Sequence, residues 1–539
     1  MAKIKNAVMA GCLDERTSLY FILIMNFILS GFYYAFCGLE AMKYNVITGA
    51  LAASVSLCGI SGFAFSEAAF TASSSARNDY KTVLYVRLVS CLFNFGLCAL
   101  FAVVLVAAGR PLAAFMLGEG ALTEDITHVY AMMIMIAVYA LISCGVFWLR
   151  GFWQGAQQSA VDTRSQLIFC GSFYILAFMI TVILVYGFHI NRALSAYGLC
   201  GALILARLLC LGYYVLFDRL RLKRFKAMAK AQILPAMQKK KVFADLVRFT
   251  LPSLTMAICA SIYILSYAAG ALPVAQMIRM KSAPMNALYA AGGWMIPMLT
   301  MIPLIFSASL FDGSVSLITS STAAKDKKKA AAERMFVRYM ALSLAFSFVL
   351  GCLAPQITRL FYGSGFSYDL VNVMRIQAAE GMLAGLCVMS ARFMIVQGLG
   401  QNAMAYSMIS AALRIGLMIV MPMRFGPAGI LYSGVSALCV DLFLCFSKLS
   451  NREAISFVKI FIMTFRILLA CLAMNGVFVI FKLLKLDALS GDRLFDGMLI
   501  MAMCAAGALV YVFILSISGI PLRTKKKRKK KKTADDQTG

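Results

Sequence analysis

The sequence is poor in charge and in several residue types on which enzyme sites depend. Only 14% of its 539 residues are charged, and only His128 and His189 are histidine. The 16 cysteines include no Cys-x-x-Cys pair, so neither a zinc site nor a disulfide framework is predicted. No GxxxxGK[ST] phosphate loop occurs, which argues against a built-in ATPase. We expect no metal and no other cofactor.

Apolar residues are abundant instead. They make up 62% of the chain, and the mean hydropathy is +0.83, whereas a soluble chain is about 45–50% apolar. The apolar runs are about 20 residues long, which predicts transmembrane helices rather than barrel strands. We therefore predict an all-α polytopic bundle of about 14 spans. Numbered in chain order, the spans lie near 17–37, 45–66, 84–108, 127–149, 165–188, 195–216, 247–271, 286–311, 336–355, 377–397, 403–423, 427–447, 457–481 and 495–518.

Positive charge predicts the orientation. Lys and Arg outnumber Asp and Glu by 51 to 23, and most of them lie in segments that are cytoplasmic if the N-terminus is inside. The segments that carry the most Lys and Arg are 217–247, 312–335 and the tail 523–532. We therefore expect a plasma-membrane protein with both termini in the cytoplasm and no cleaved signal peptide. The basic loops and tail are expected to contact anionic phospholipid headgroups rather than nucleic acid, because base-reading and aromatic residues are missing from the tail.

Matching polar landmarks indicate an internal repeat. The serine-rich helix end at 71–75, with the Asn-Asp-Tyr-Lys turn after it, is echoed at 319–328, and Phe115–Gly118 is echoed at Leu360–Gly363. Such repeats typically place a substrate between two lobes that rock against each other. The predicted divisions are an N-lobe (1–216), a basic linker (217–247), a C-lobe (248–450), a terminal helix pair (451–520) and a polybasic tail (521–539).

Charged residues inside apolar runs are candidate functional groups, because they are costly in lipid. Arg414 in span 11 and Asp441 in span 12 are predicted to form an intramembrane pair, which either locks two helices or serves transport. Glu380 lies near the outer end of span 10, and Arg207 and Arg466 lie near cytoplasmic ends. For these three residues the simpler interpretation is that the side chain reaches the interface.

Polar and basic groups of the predicted cavity walls form a second candidate set. Pro297 and Pro303 are expected to kink span 8 as a hinge. Arginine and lysine are natural phosphate ligands, so the candidate substrate-binding residues are the basic ones before spans 2 and 8 and two polar ones in span 1: Lys43, Arg279, Lys281, Asn26 and Tyr34. Headgroup contact is the alternative for the three basic residues.

Several segments together resemble a known group of transporters. They are Ala287-Leu288-Tyr289 through Pro297 and Pro303, then Ala308-Ser309-Leu310, Leu360–Gly363, Gln397–Gly400 and Gly426–Ile430. With the predicted helix count, they resemble the multidrug/oligosaccharidyl-lipid/polysaccharide (MOP) exporter superfamily. Within it, the chain is most similar to the stage V sporulation protein B and MurJ-type lipid II flippases.

The resemblance implies a rocking transporter that flips a polyprenyl-pyrophosphate-linked glycan. The driving force would be the membrane potential or a coupling ion rather than ATP. In the family, arginines of the first helix contact pyrophosphate, but here Ile28 and Ala35 hold the matching places. The basic ligand would then come from Lys43, Arg279 or Lys281, or the substrate differs.

Two other functions remain open. One is a multidrug or cation antiporter of the same superfamily, which the absence of Asp or Glu from the central parts of spans 1–6 disfavours. The other is an integral-membrane glycosyltransferase or polymerase, which needs acid–base or metal-assisted chemistry. Its candidate loop, 109–126, carries Glu119, Glu124 and Asp125 but no DxD motif and no partner histidine. A non-enzymatic transporter is therefore expected.

Overall fold

The computed structural model describes residues 15–118, 121–156, 159–232, 238–277, 288–307, 310–311, 325–363, 368–484 and 493–519. These residues are almost entirely helical and contain no strand, so the predicted all-α class is confirmed. The helices are α1 Glu15–Leu57, α2 Phe65–Ala76, α3 Tyr80–Leu117, α4 Thr123–Gly155, α5 Ser159–Val182, α6 Ala196–Ala231, α7 Lys239–Met277, α8 Pro297–Thr300, α9 Lys325–Cys352, α10 Ala354–Tyr362, α11 Tyr368–Val396, α12 Gly400–Phe425, α13 Ala428–Asn451, α14 Phe457–Leu483 and α15 Arg493–Ile517.

Thirteen helical runs in the described part of the chain are long and apolar enough to cross a membrane. They correspond one by one to predicted spans 2 to 14, and predicted span 1 lies in the N-terminal part of α1. The chain is thus a multi-pass membrane protein. Hydropathy located the spans because unpaired polar groups are costly in hydrocarbon, so transmembrane segments are apolar whichever way their residues face.

The first helix holds both predicted spans 1 and 2. Asn26 donates a hydrogen bond to the carbonyl oxygen of Met298 at 3.1 Å, while Val46 packs on Gly293. Twenty helical residues extend about 30 Å, much further than the distance between Gly293 and Met298. The helix α1 therefore doubles back between Asn26 and Val46, although helical residues continue through the predicted loop.

Two π-helical turns interrupt spans 2 and 8. One, Cys58–Ala64, joins α1 to α2, and the other, Ala291–Met295, precedes α8. Pro297 is the first residue of α8, and a further turn at Met301 separates α8 from the helical residues around Pro303. Proline lacks the amide donor that a continuous helix needs, so span 8 is broken where it was predicted to kink. Its role as a moving hinge stays a prediction.

The predicted basic linker is largely helical. The helix α6 continues to Ala231 and α7 begins at Lys239. Gln232, at the end of α6, accepts a hydrogen bond from the backbone amide of Lys81 at 2.9 Å and donates to Asp79 at 3.0 Å. The end of α6 is thus fastened to the start of α3. The lobe boundaries themselves stay predictions.

Close contact between α1 and α7 joins the first and second halves of the chain. The Ser261 hydroxyl approaches the carbonyl oxygen of Ser54 at 3.4 Å, and the Ser253 hydroxyl approaches that of Gly62 at 3.3 Å. Near the other end of the contact, the ring of Trp294 lies against Gly49. Small residues allow this approach, which in lipid is driven by packing rather than by the hydrophobic effect.

The glycine at 381 provides a test of this packing. A Cβ atom there would lie 1.8 Å from the carbonyl oxygen of Thr300, because α11 crosses the backbone of α8 at this point. We expect Gly381→Ala to destabilise the protein by about 1–3 kcal/mol or more, measured as thermal unfolding in detergent. Gly416→Ala is the matched control, since nothing lies within 4 Å of its Cβ position. Equal melting temperatures for the two variants would contradict the described crossing.

Candidate functional site

A buried arginine lies at the centre of the second half of the chain. Arg414 in α12 is 1% exposed. Its Nη1 donates to the carbonyl oxygen of Ile430 and to the hydroxyl of Ser433, both at 2.6 Å, and its Nε donates to the hydroxyl of Ser266 at 3.3 Å. The guanidinium carbon lies 4.9 Å from the centre of the Tyr263 ring, a cation–π distance. Four side chains or carbonyls from two helices, α7 and α13, thus hold one cation.

A glutamate lies beside this arginine. Glu380 in α11 is 3% exposed and accepts a hydrogen bond from the Tyr263 hydroxyl at 2.5 Å. A Cβ atom at Gly434 would lie 2.2 Å from the tyrosine hydroxyl, 2.4 Å from the carboxylate and 2.7 Å from Arg414 Nη1. All three groups therefore converge on one glycine, which leaves them room to meet. We call Tyr263, Glu380, Arg414 and Ser433 the C-lobe cluster.

The predicted Arg414–Asp441 pair is wrong. Asp441 accepts a hydrogen bond from the thiol of Cys445 at 3.5 Å instead. The helices α12 and α13 are antiparallel neighbours, and Arg414 is level with Ile430 and Ser433 near the start of α13. Asp441 lies about 16 Å further along α13 than Ile430. The interpretation of Glu380 as a group that reaches the interface is also wrong, because its carboxylate is enclosed.

A second buried arginine lies in the first half of the chain. Arg207 in α6 is 6% exposed, so the interpretation that it reaches the cytoplasmic interface is wrong. Its Nε and Nη2 donate to the Tyr139 hydroxyl at 3.1 and 3.0 Å, and Nη2 also donates to the Ser56 hydroxyl at 3.2 Å. Its guanidinium carbon lies 4.0, 5.1 and 5.4 Å from the ring centres of Phe169, Phe147 and Tyr139.

The predicted substrate-binding residues are only partly described. Asn26 bridges two helices, because it donates to Met298 and accepts a hydrogen bond from the Tyr174 hydroxyl in α5. Lys43 is half-buried in α1 and makes no hydrogen bond or ion pair within the described part. Tyr34 also lies in α1, but its side chain falls outside the described residues, as do Arg279 and Lys281. Asn26 alone is therefore placed between the two halves of the chain, and binding by these residues stays a prediction.

The hydropathy pattern also failed to indicate one buried acidic residue. Glu67 in α2 is 0% exposed, and neither of its carboxylate oxygens has a hydrogen-bond partner in the described structure. Predicted span 2 ended at 66, whereas the candidate span runs from Ala41 to Ser75. Span 2 therefore contains a buried carboxylate, which lies toward the end of the span rather than in its central part.

The acidic loop before α4 has a partner histidine after all. His128 Nε2 lies 3.7 Å from Glu124 Oε1 one helical turn away, and its ring also contacts Tyr197. Asp125 accepts a hydrogen bond from the Tyr44 hydroxyl at 2.6 Å. The glutamate is largely exposed, and its spacing from the histidine is that of an ordinary helix-stabilising pair. A catalytic arrangement is not required to explain it.

An apolar groove runs between α9, α11, α13 and α14 and has a volume of about 470 Å³. Five phenylalanines line it: Phe336, Phe443, Phe446, Phe457 and Phe461. At the C-terminal end of α13 the lining becomes polar, with Ser447, Ser450 and Asn451. The groove is thus apolar over most of its wall and polar at one end, and α14 supplies one side of it.

The described residues form an all-helical membrane bundle, and solved structures share this fold. The structure of the lipid II flippase MurJ in an inward closed conformation aligns with a TM-score of 0.60 and 13% identity, covering 94% of this chain and 98% of its own. An inward-facing MATE family multidrug resistance transporter of the MOP superfamily aligns with a TM-score of 0.58 and 16% identity. This alignment covers 80% of this chain and 95% of the transporter. The structure of MATE in a bent conformation aligns with a TM-score of 0.53 and 16% identity, and the alignment covers 83% of this chain and 98% of that one.

The chain therefore shares its fold with these transporters, as the resemblance implies. No family model matches the chain, and no curated protein matches it. Sequence identities this low establish the architecture and leave the substrate to be argued from the chain's own residues.

The C-lobe cluster predicts a specific coupling between two variants. Arg414→Gln leaves the buried Glu380 without its neighbouring cation, so we expect a loss of stability of about 3–5 kcal/mol. Adding Glu380→Gln removes the uncompensated anion, and the double variant should unfold at a higher temperature than Arg414→Gln alone.

The measurement is thermal unfolding of the purified protein in detergent. Arg424→Gln is the control, since this arginine is exposed in the last turn of α12. Strictly additive losses for the two substitutions would show that the arginine and the glutamate do not interact.

Proposed function

We propose that the chain is an alternating-access MOP-type transporter that flips a polyprenyl-pyrophosphate-linked glycan from the inner to the outer leaflet of the plasma membrane. Both termini would lie in the cytoplasm, as the distribution of basic residues predicts. No chemical step is assigned to the chain, because transport in this scheme changes only which side of the membrane the substrate faces.

The observation that carries the proposal is the terminal helix pair and the groove it completes. The MATE structures align over 95–98% of their own length but only 80–83% of this chain, whereas the MurJ structure aligns over 94%. Thus 17–20% of this chain has no counterpart in the MATE alignments, a share large enough to hold α14 and α15. We infer that these two helices belong to it. Because α14 forms one wall of the apolar groove, they would supply a surface that suits a lipid substrate.

The groove has the chemistry that a polyprenyl chain requires. Its phenylalanines offer apolar contact to isoprene units, and apolar contact in a groove orders a chain that would otherwise lie in lipid. The polar end formed by Ser447, Ser450 and Asn451 would lie toward the cytoplasm in the predicted orientation. A lipid-linked sugar would be loaded from that side, with its polar part next to these residues.

The second candidate function is multidrug or cation antiport, and the buried acids Glu67 and Glu380 are the observations that favour it. A carboxylate enclosed in a membrane protein commonly serves an ion or proton pathway. The two functions are not exclusive in mechanism, since a flippase driven by an ion gradient also needs a coupling site. They differ in cargo, and the cargo can be measured.

Mass spectrometry of lipid extracts tests the cargo. Cells depleted of the protein should accumulate a polyprenyl-pyrophosphate glycan, because its synthesis continues at the inner leaflet while its turnover stops. The mass of the accumulated sugar would identify the glycan. An unchanged pool of lipid-linked sugars, accompanied by new sensitivity to cationic dyes, would reject the flippase and support the antiporter.

Photolabelling tests the groove directly. A geranylgeranyl pyrophosphate carrying a diazirine in its tail should label peptides around Phe443 and Phe461 in the purified protein. Leu92 and Phe95 in α3 are also exposed apolar residues, so peptides from α3 report labelling by lipid exposure alone. Equal labelling of α3 and the groove would contradict a tail-binding role.

A further inference from the structure

Among the described residues Arg207 has no counter-charge, and this sets it apart from the other buried arginines. Three arginines of the described part are buried: Arg87, Arg207 and Arg414. Arg87 forms a two-pronged ion pair with Asp218 at 2.8 and 2.9 Å, and Arg414 belongs to the cluster that contains Glu380. No carboxylate of the described residues lies within 4.0 Å of the Arg207 guanidinium.

Because Arg207 lies deep in the membrane, the lack of a counter-charge costs free energy. It lies about 16 Å along α6 from the start of the helix at Ala196, roughly halfway across a hydrocarbon core of about 30 Å. A cation at that depth needs a partner or a functional reason to be there. The aromatic rings of Phe169, Phe147 and Tyr139 supply part of the compensation, but a cation–π contact contributes only about 2 kcal/mol when desolvated.

The donors of Arg207 are also incompletely used. Nε and Nη2 are hydrogen-bonded to two hydroxyl groups, Tyr139 and Ser56, while Nη1 makes no hydrogen bond in the described structure. Arg414 also leaves one terminal nitrogen, Nη2, without a hydrogen bond among the described residues, but it has Glu380 beside it. A guanidinium whose bound acceptors are neutral hydroxyls, and which has one nitrogen unused, can still donate to an oxyanion such as a phosphate.

Arg207 lies near the region where the two halves of the chain meet. Its ring partner Phe169 and the residue Tyr174 lie about 7–8 Å apart along α5. Tyr174 donates a hydrogen bond to Asn26, which in turn donates to the Met298 carbonyl of span 8. A substrate headgroup held near Asn26 and Tyr174 would therefore be within about two helical turns of the guanidinium.

We propose that Arg207 is an anion-binding residue that recognises the pyrophosphate of the transported lipid, with the hydroxyls of Tyr139 and Ser56 orienting its donors. The proposal rests on the proposed function, since it assigns the phosphate ligand of that substrate. It also gives the chain a basic ligand on span 6, where span 1 carries no arginine.

Binding of geranylgeranyl pyrophosphate to the purified full-length protein tests the proposal. In nanodiscs of neutral lipid, Arg207→Gln should weaken binding by about 10-fold or more, the effect of losing a charge-assisted hydrogen bond. Arg424→Gln should leave it unchanged. Geranylgeraniol, which lacks the pyrophosphate, should bind the wild type and Arg207→Gln equally, because only the anion contacts the arginine.

A second variant covers the case in which Arg207→Gln does not fold. Tyr139→Phe keeps the charge but removes the hydroxyl that orients Nε and Nη2. Its affinity for geranylgeranyl pyrophosphate should fall several-fold, while its affinity for geranylgeraniol stays that of the wild type. Unchanged affinity for geranylgeranyl pyrophosphate in either variant would overturn the role of Arg207.

Two outcomes separate this inference from the function itself. Wild-type protein that binds the pyrophosphate as tightly as Arg207→Gln overturns the inference and leaves the flippase standing. Wild-type protein that binds no geranylgeranyl pyrophosphate rejects the flippase as well. Complete displacement of the probe by phosphatidylglycerol in the nanodisc would assign the phosphate site to bulk phospholipid and overturn the inference too.

Discussion

A guanidinium in the middle of a bilayer has to be satisfied by the protein, and this constraint organises both halves of the molecule. Arg207 contacts residues of α1, α4 and α5 from its place on α6, and Arg414 contacts α7 and α13 from its place on α12. Each arginine thus lies where several helices meet. In lipid, where apolar packing has no hydrophobic driving force, such polar contacts select which helices become neighbours.

Close approach of the helix backbones makes these contacts possible. Gly434 leaves the space in which Tyr263, Glu380 and Arg414 converge, and Gly49 receives the ring of Trp294 where the two halves meet. A larger side chain at either position would separate the helices and leave the polar groups without their hydrogen-bond partners. Small residues and buried charges are therefore parts of one arrangement: glycine brings the helices together, and the polar groups then fix their rotation.

The spans could be predicted from the sequence because hydropathy is a property of the whole segment, and thirteen of them match runs in the structure. The contact partners of side chains inside the bundle could not be predicted in this way. A helix turns by about 100° per residue, and a segment that is apolar on all sides gives no sign of which face is buried. For that reason Arg207 and Glu380 were expected at the interface, and Arg414 was assigned to Asp441 on a neighbouring helix. Glu67 was missed because α2 continues beyond the apolar run that marked it.

The two arginines differ in a way that bears on transport. In the C-lobe cluster the cation has an acidic neighbour, so its charge is balanced whether or not a ligand is present. Arg207 has no acidic neighbour among the described residues, and an unpaired buried cation raises the free energy of the state without ligand. An anionic substrate that reached it would relieve that penalty, so the loaded protein would be stabilised relative to the empty one. On the proposed function, this asymmetry favours Arg207, rather than the charge-balanced cluster, as the group that recognises the anionic substrate.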